Sequence, residues 1–249
     1  MSKGTILITG ASSGLGEEMA RQFAARGYDL ALCARRTDRL EGLKAGILAA
    51  HPDRRVELKA LDVNDDEAVF RVFGEFAADF GTIERVIINA GLGKGAALGT
   101  GHFAANKQTA MTNFVAALAQ TEAAMEIFRA QKSGHLVMVS SMSAHRGQRR
   151  AITTYAATKA GVAALAEGLQ NENVEGVDVS IIYPGYIRSE MNEKVEQRTK
   201  FMVDTETGVR AMVEAIEKRK AKANVPAWPW VPLGVAMKHL PMSVVRKLS

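Results

Sequence analysis

The chain of 249 residues is 47% hydrophobic and 24% charged, with one cysteine, Cys33, and five histidines; this globular composition excludes low-complexity disorder and an internal disulfide, and it fits a reducing cytoplasm. The net charge of +5 is uneven, because Lys218 to Ser249 carries seven basic residues and no acid, leaving −2 for the remainder. The high pI therefore belongs to the tail and is no sign of a nucleic-acid-binding domain, and histidines without an i, i+4 pair predict no metal site.

The apolar run before Gly10 is too short for the core of a secretion signal, and no stretch is long enough to span a bilayer, so a cytoplasmic protein is expected. In chain order, β-branched apolar runs at Thr5 to Thr9, Tyr28 to Ala34, Arg55 to Asp62, Arg85 to Gly91, His135 to Ser141 and Val177 to Gly185 read as six strands, with a short seventh near Asn224. Helical periodicity covers Glu17 to Arg26, Asp38 to Ala50, Asp65 to Phe80, Asn106 to Gln131 and Tyr155 to Asn171, and a further helix is expected over Thr205 to Lys220. Continuously apolar strands are buried on both faces, and strict strand-helix succession without a linker predicts one α/β domain over 1–249, a doubly wound parallel sheet.

In such sheets ligands bind beyond the carboxyl ends of the strands. The first of these ends reads "TGASSGLGEEMA", with Gly10, Gly14 and Gly16 where strand one turns into a helix, Ser12 and Ser13 as added hydroxyls and Leu15 in the same turn. Glycines let the backbone approach a pyrophosphate, whose charge is favoured by free N–H groups at a helix N-terminus, so the loop suits a dinucleotide. No Lys-Ser/Thr follows the last glycine, which speaks against a nucleoside triphosphatase. Strand two ends in Ala34, Arg35 and Arg36 where selection of NAD would call for a carboxylate. A guanidinium binds phosphate through two parallel hydrogen bonds, so this end reads as NADP(H), with Arg35 the principal contact and Arg36 a helper or a solvated surface residue.

The stretch "TTYAATKAG" places a phenol, Tyr155, and an amine, Lys159, one helical turn apart on one face. Alone this is weak, since a packing ring beside a solvated ammonium has the same spacing. Together with "TGASSGLG" (Thr9 to Gly16), "LDV" (Leu61 to Val63), "NAG" (Asn89 to Gly91), "VSS" (Val139 to Ser141) and "YPGYIRS" (Tyr183 to Ser189) it follows the order and approximate spacing of motifs in the short-chain dehydrogenase/reductase family. The chain resembles that family from about residue 5 to 190.

The resemblance implies a single seven-stranded Rossmann-like domain and an NADP(H)-dependent carbonyl reductase or alcohol dehydrogenase. It implies Tyr155 as catalytic acid/base, Lys159 as its helper and a ligand of the nicotinamide ribose, Ser141 as the hydroxyl on the substrate oxygen, and Asn113 as the link from Lys159 to a water relay. Asp62, with Val63 beside it, would meet the adenine; Asn89, Ala90 and Gly91 would line the cofactor path; Pro184, Gly185, Ile187 and Ser189 would meet the nicotinamide end. The physical logic is that an adjacent ammonium stabilises a phenolate, so Lys159 is expected to draw the Tyr155 pKa down from near ~10 toward neutrality. Two departures stand out. Thr158 replaces the family's usual Ser, and Ser141 precedes Tyr155 by fourteen positions rather than thirteen, which leaves Ser140 and Ser143 as alternatives. A surface position is expected for His145.

The segment 186–205, with Met191, Phe201 and Met202, is expected to be an apolar substrate lid hinged at Gly185, favouring a moderately hydrophobic ketone, aldehyde or secondary alcohol. The tail 224–249 joins Trp228 and Trp230 to unopposed positive charge, suiting contact with an anionic membrane surface, with a partner subunit or with the protein's own body. Small residues on the helices over 106–131 and 155–171 permit close packing between subunits, and the resemblance implies a homodimer or homotetramer. A catalytically silent NADP(H)-binding regulator is the alternative, and it has no need of the Tyr155 and Lys159 pair.

Overall fold

A computed structural model of the chain describes residues 2–191 and 201–244. Seven strands, β1 (Thr5–Thr9), β2 (Asp29–Ala34), β3 (Val56–Ala60), β4 (Arg85–Ile88), β5 (Gly134–Val139), β6 (Val177–Pro184) and β7 (Lys222–Val225), form one sheet in the order β3-β2-β1-β4-β5-β6-β7. Every neighbouring pair is parallel. The order turns back at β1, between β2 and β4, which opens a crevice at the carboxyl ends of those strands. The fold is a single doubly wound α/β domain, as the succession of elements predicts.

Helices α1 (Gly14–Ala25), α2 (Thr37–Ala50) and α7 (Thr205–Glu217) cover one face, where Met19, Phe23, Leu40, Met212 and Ile216 are buried against Ile6, Ile8 and Leu32. On the other face α3 (Asp66–Phe80), α5 (Ala116–Gln131) and α6 (Thr153–Glu172) bury Phe73, Phe76, Phe128 and Val162 against Leu7, Val86 and Met138. Each fully buried large side chain contributes about 1.5–3 kcal/mol of transfer free energy. The Asp65 and Asp204 carboxylates accept the Ala68 and Thr207 N–H groups and so fix the starts of α3 and α7.

The helix expected over 106–131 begins earlier and is interrupted. After Gly99 and Gly101, both at positive φ, α4 runs over Phe103–Ala110, a π-helical turn follows at Met111–Val115, and α5 continues. Apolar periodicity does not reveal one inserted residue in a ladder of hydrogen bonds, and such turns are frequent at functional sites. The tail adds a helix that its composition hinted at, α8 (Ala227–His239), which leaves helical dihedrals at Trp228. Residues 192–200 of the expected lid, and Arg246 and Lys247 of the basic tail, lie outside the described residues. No helix among the described residues is long and apolar enough to cross a membrane.

At the amino ends of the strands a buried polar network joins β4, β5, β6 and α7. Arg85, only 2% exposed, donates from Nε to His135 Nδ1 at 2.8 Å and from Nη1 to Glu217 at 3.0 Å. A guanidinium only donates, so His135 Nδ1 must accept, and Nε2–H is left to donate to Ser180 Oγ at 2.8 Å. Burial, with the Arg85 and Arg219 charges, pushes the His135 pKa down to about 3.

Candidate active site

The glycine turn after β1 is tight because nothing larger fits. Gly10 has φ 66°, and a Cβ there would lie 2.9 Å from the Ala90 Cα; a Cβ on Gly16 would lie 2.4 Å from the Gly10 carbonyl oxygen. Thr9 Oγ1 accepts the N–H groups of Asn89 and Ala90 at 3.1 and 3.2 Å, and Asn89 Nδ2 donates to the Thr9 carbonyl at 3.0 Å. The ends of β1 and β4 are thereby tied together under the N-terminus of α1. Ser13, at the N-cap, does not cap that helix with its side chain, and the orphan N–H groups of the first turn favour an anion.

The two arginines after β2 diverge. Arg36 donates to Ser13 Oγ at 2.6 Å and Ser12 Oγ at 3.3 Å, and grips both oxygens of Glu190 at 3.0 Å, while Arg39 reaches Glu190 at 3.3 Å. These bonds, those from Arg36 first, hold the Glu190 carboxyl down at about 2. Arg35 points to the end of β3, 3.9 Å from Asp62. Arg36, at the head of α2, turns over the serines of the glycine turn and so fits the helper reading rather than that of a solvated residue, while both arginines line the cleft. Asp62 accepts from the Asn64 N–H and side-chain amide at 3.0 and 2.9 Å. Burial opposes its ionisation, but the Asn64 bonds and the Arg35 charge leave its carboxyl below the usual range.

At the far end, α6 presents Tyr155 and Lys159 to the loop after β5. The three serines separate by orientation. Ser140 is buried and donates to the Lys159 carbonyl at 2.8 Å; Ser143 donates to Ser141 Oγ at 3.0 Å and does not line the cleft; Ser141 lines it together with Tyr155, whose pKa its hydroxyl pulls down. Lys159 Nζ donates to the Val139 carbonyl at 2.9 Å, and burial lowers its pKa to about 8.

The expected tuning of Tyr155 by Lys159 is not what this geometry gives. The phenol pKa is raised, by burial first and by nearby Tyr186, with only the Ser141 bond opposing. The ammonium is engaged by the Val139 carbonyl and does not offset the burial of the phenol.

Asn113, on the π-helical turn, lies behind Gly91 rather than in the open. Its Oδ1 accepts the Leu92 N–H at 2.7 Å and its Nδ2 donates to the Leu92 carbonyl at 2.9 Å. A Cβ on Gly91 would stand 3.3 Å from Asn113 Oδ1 and 3.6 Å from Lys159 Nζ, so both side chains converge on one glycine. His145 is half-buried rather than solvated: Nε2 pairs with Asn224 Oδ1 at 2.9 Å and the ring packs on Tyr183 at 4.5 Å. Gly185 serves close packing, since a Cβ there would meet the Trp230 ring at 2.1 Å; Trp230 is buried while Trp228 is 77% exposed.

One cleft of about 600 Å³ runs from Arg35 and Arg36, past the glycine turn, to Ser141, Tyr155 and Lys159. Of the residues that the sequence assigns to catalysis or to the cofactor, all line it except Gly16 and Asn113. Sequence reasoning missed Lys94, Thr112 and Glu190, which also line it; Glu190 carried no local signal because its partner Arg36 is 154 positions away.

The description short chain dehydrogenase belongs to a family profile that matches residues 4–200. An uncharacterized oxidoreductase of Mycobacterium tuberculosis is 51% identical over 245 residues, covering 98% of this chain and 96% of that protein. Among solved structures, levodione reductase aligns with TM-score 0.79 at 25% identity over 90% of this chain and 95% of its own. A short chain dehydrogenase/reductase from Burkholderia phymatum in complex with NAD aligns with TM-score 0.84 at 19% identity, over 99% and 95%.

Proposed function

The chain belongs to the short-chain dehydrogenase family of oxidoreductases, and from that premise we propose that it transfers a hydride between NADP(H) and a moderately hydrophobic ketone, aldehyde or secondary alcohol. The observation that carries the reading is that Ser141, Tyr155 and Lys159 line one end of a single cleft whose other end is lined by Arg35 and Arg36. The residues fit a dinucleotide: glycine positions that a Cβ would fill line its middle, and cations and serine hydroxyls suited to a 2′-phosphate stand at the adenosine end. Asp62 and Val63 would meet the adenine, Asn89 to Gly91 the ribose and pyrophosphate path, and Pro184, Gly185, Ile187 and Ser189 the nicotinamide end. The bound nicotinamide supplies or accepts the hydride.

Ser141 and Tyr155 hold the substrate oxygen, and their hydroxyls donate to it as negative charge grows there. Burial keeps Tyr155 protonated at neutral pH, so in the reducing direction it is a ready proton donor. Lys159, an ammonium below about pH 8, stabilises the phenolate left behind, and Asn113 holds the Leu92 backbone beside it. Segment 186–205 is read as the lid over the substrate, and the small-residue surfaces of α5 and α6 as the contacts of a homodimer or homotetramer. Tyr155→Phe should lower NADPH-dependent carbonyl turnover by about 10²–10⁴-fold while NADPH affinity, read by fluorescence titration, stays within about twofold. An unchanged rate would contradict the mechanism.

A further inference from the structure

We propose that the outer face of α8 is a docking surface for an anionic lipid bilayer. The helix has two unlike sides. Inward, Trp230 covers Gly185 and packs edge-on against Tyr186 at 5.5 Å, and Gly234 lies against Met142, His145 and Asn224. Outward, Trp228, Val231, Pro232, Val235 and Met242 are all exposed, Val235 at 59% and Val231 at 46%. Val231, Pro232 and Val235 share the outer side of the helix, Trp228 stands exposed at its kinked start and Met242 just beyond its end, so a helix whose inner side is already satisfied carries a second apolar surface.

Charge selects the occupant. Three segments contain no Asp or Glu at all, 85–121, 127–166 and 218–249. They supply Gly91 to Lys94, Ser141, Tyr155 and Lys159 of the cleft wall and the whole of α8, whose Trp230 packs on Gly185 of the same wall. Arg146 extends this field along the helix, donating to the Lys238 carbonyl at 3.4 Å. An apolar stripe with an interfacial tryptophan, rimmed by cations and free of carboxylates, matches a helix lying in the headgroup region of a negatively charged membrane. A helix of 13 residues lies on such a surface and does not cross it.

The test is co-sedimentation of the full chain with phosphatidylglycerol-containing vesicles and with pure phosphatidylcholine vesicles, read without cofactor or substrate, so that failure here leaves the proposed reaction intact. The chain should pellet with the anionic vesicles at low salt and stay in solution with the zwitterionic ones. Trp228→Ser combined with Val231→Ser and Val235→Ser should weaken anionic binding at least tenfold. Brominated phosphatidylglycerol should quench the fluorescence of the unaltered chain, and Trp228→Phe should remove most of that quenching, a readout that does not depend on the triple variant folding. A chain that remains in the supernatant, a triple variant that binds equally, or quenching untouched by Trp228→Phe would overturn the proposal. So would an oligomer that the triple variant dissociates, which would make the stripe a subunit contact, or retention by an acidic protein in place of vesicles.

Discussion

Arg36 sits between two anions of different origin. In the protein it holds Glu190, and under the proposed function it would hold the 2′-phosphate of NADP(H). A carboxylate kept ionised by two arginines competes with a phosphate for the same donors. Arg36→Ala should therefore cost NADPH about 10–100-fold in affinity with NADH little changed, because charged hydrogen bonds contribute about 1.5–3 kcal/mol. Glu190→Gln should shift preference further toward NADPH. Comparative titration of both cofactors against both variants checks the pair, and equal effects on NADH and NADPH would refute it.

Lys159 makes a second prediction at this scale. Burial lowers its pKa to about 8, while that of Tyr155 is raised, so the first proton lost on raising the pH comes from the amine. Under the proposed function, the ammonium that would stabilise the phenolate is present below about pH 8 and absent above it. The kcat/KM for carbonyl reduction should be flat near neutrality and fall with unit slope above that point, and Lys159→Met should flatten the profile at the low level.

At the scale of elements, β6 and α8 are bound through one glycine. The chain leaves β6 at Gly185, and the Trp230 ring occupies the space of the absent Cβ. Gly185→Ala should destabilise the fold by about 1–3 kcal/mol through overpacking, visible as a lower urea midpoint. In a Trp230→Leu background the same substitution should cost markedly less, and equal costs in both backgrounds would show that the ring is not the cause. The contact also seats α8 beside Tyr186, whose phenol influences Tyr155, so the C-terminal helix bears on the reacting end of the cleft.

Across the whole molecule, ionisation chemistry is divided between the two ends of the sheet. The carboxyl ends carry the cleft; the amino ends carry the Arg85, His135 and Glu217 network. His135 is held neutral in the fold to about pH 3, against 6.5 for a free imidazole. Below pH 6.5 the unfolded chain binds a proton that the folded chain refuses, so stability rises with pH through this window and is lost as pH falls toward 3. Between pH 7 and 5 the loss should reach roughly 2 kcal/mol, before most carboxylates titrate. Chemical denaturation across that range measures it, and His135→Gln should remove most of the slope.

The amino-acid sequence by itself determined the local elements and the chemistry they carry. β1 spans the five residues of its apolar run, β5 and β6 lie within two residues of theirs, and the glycine turn, the arginine pair and the Tyr155 to Lys159 spacing are local patterns set by backbone sterics and side-chain period. Tertiary structure decided what depends on distant partners. It engaged Ser140 with the Lys159 carbonyl and Ser143 with Ser141, turned Arg36 rather than Arg35 toward the serines of the glycine turn, and brought Glu190 to it across 154 positions. It also raised the Tyr155 pKa where the neighbouring amine alone pointed the other way, because burial is a property of the packed molecule and of no single stretch of chain.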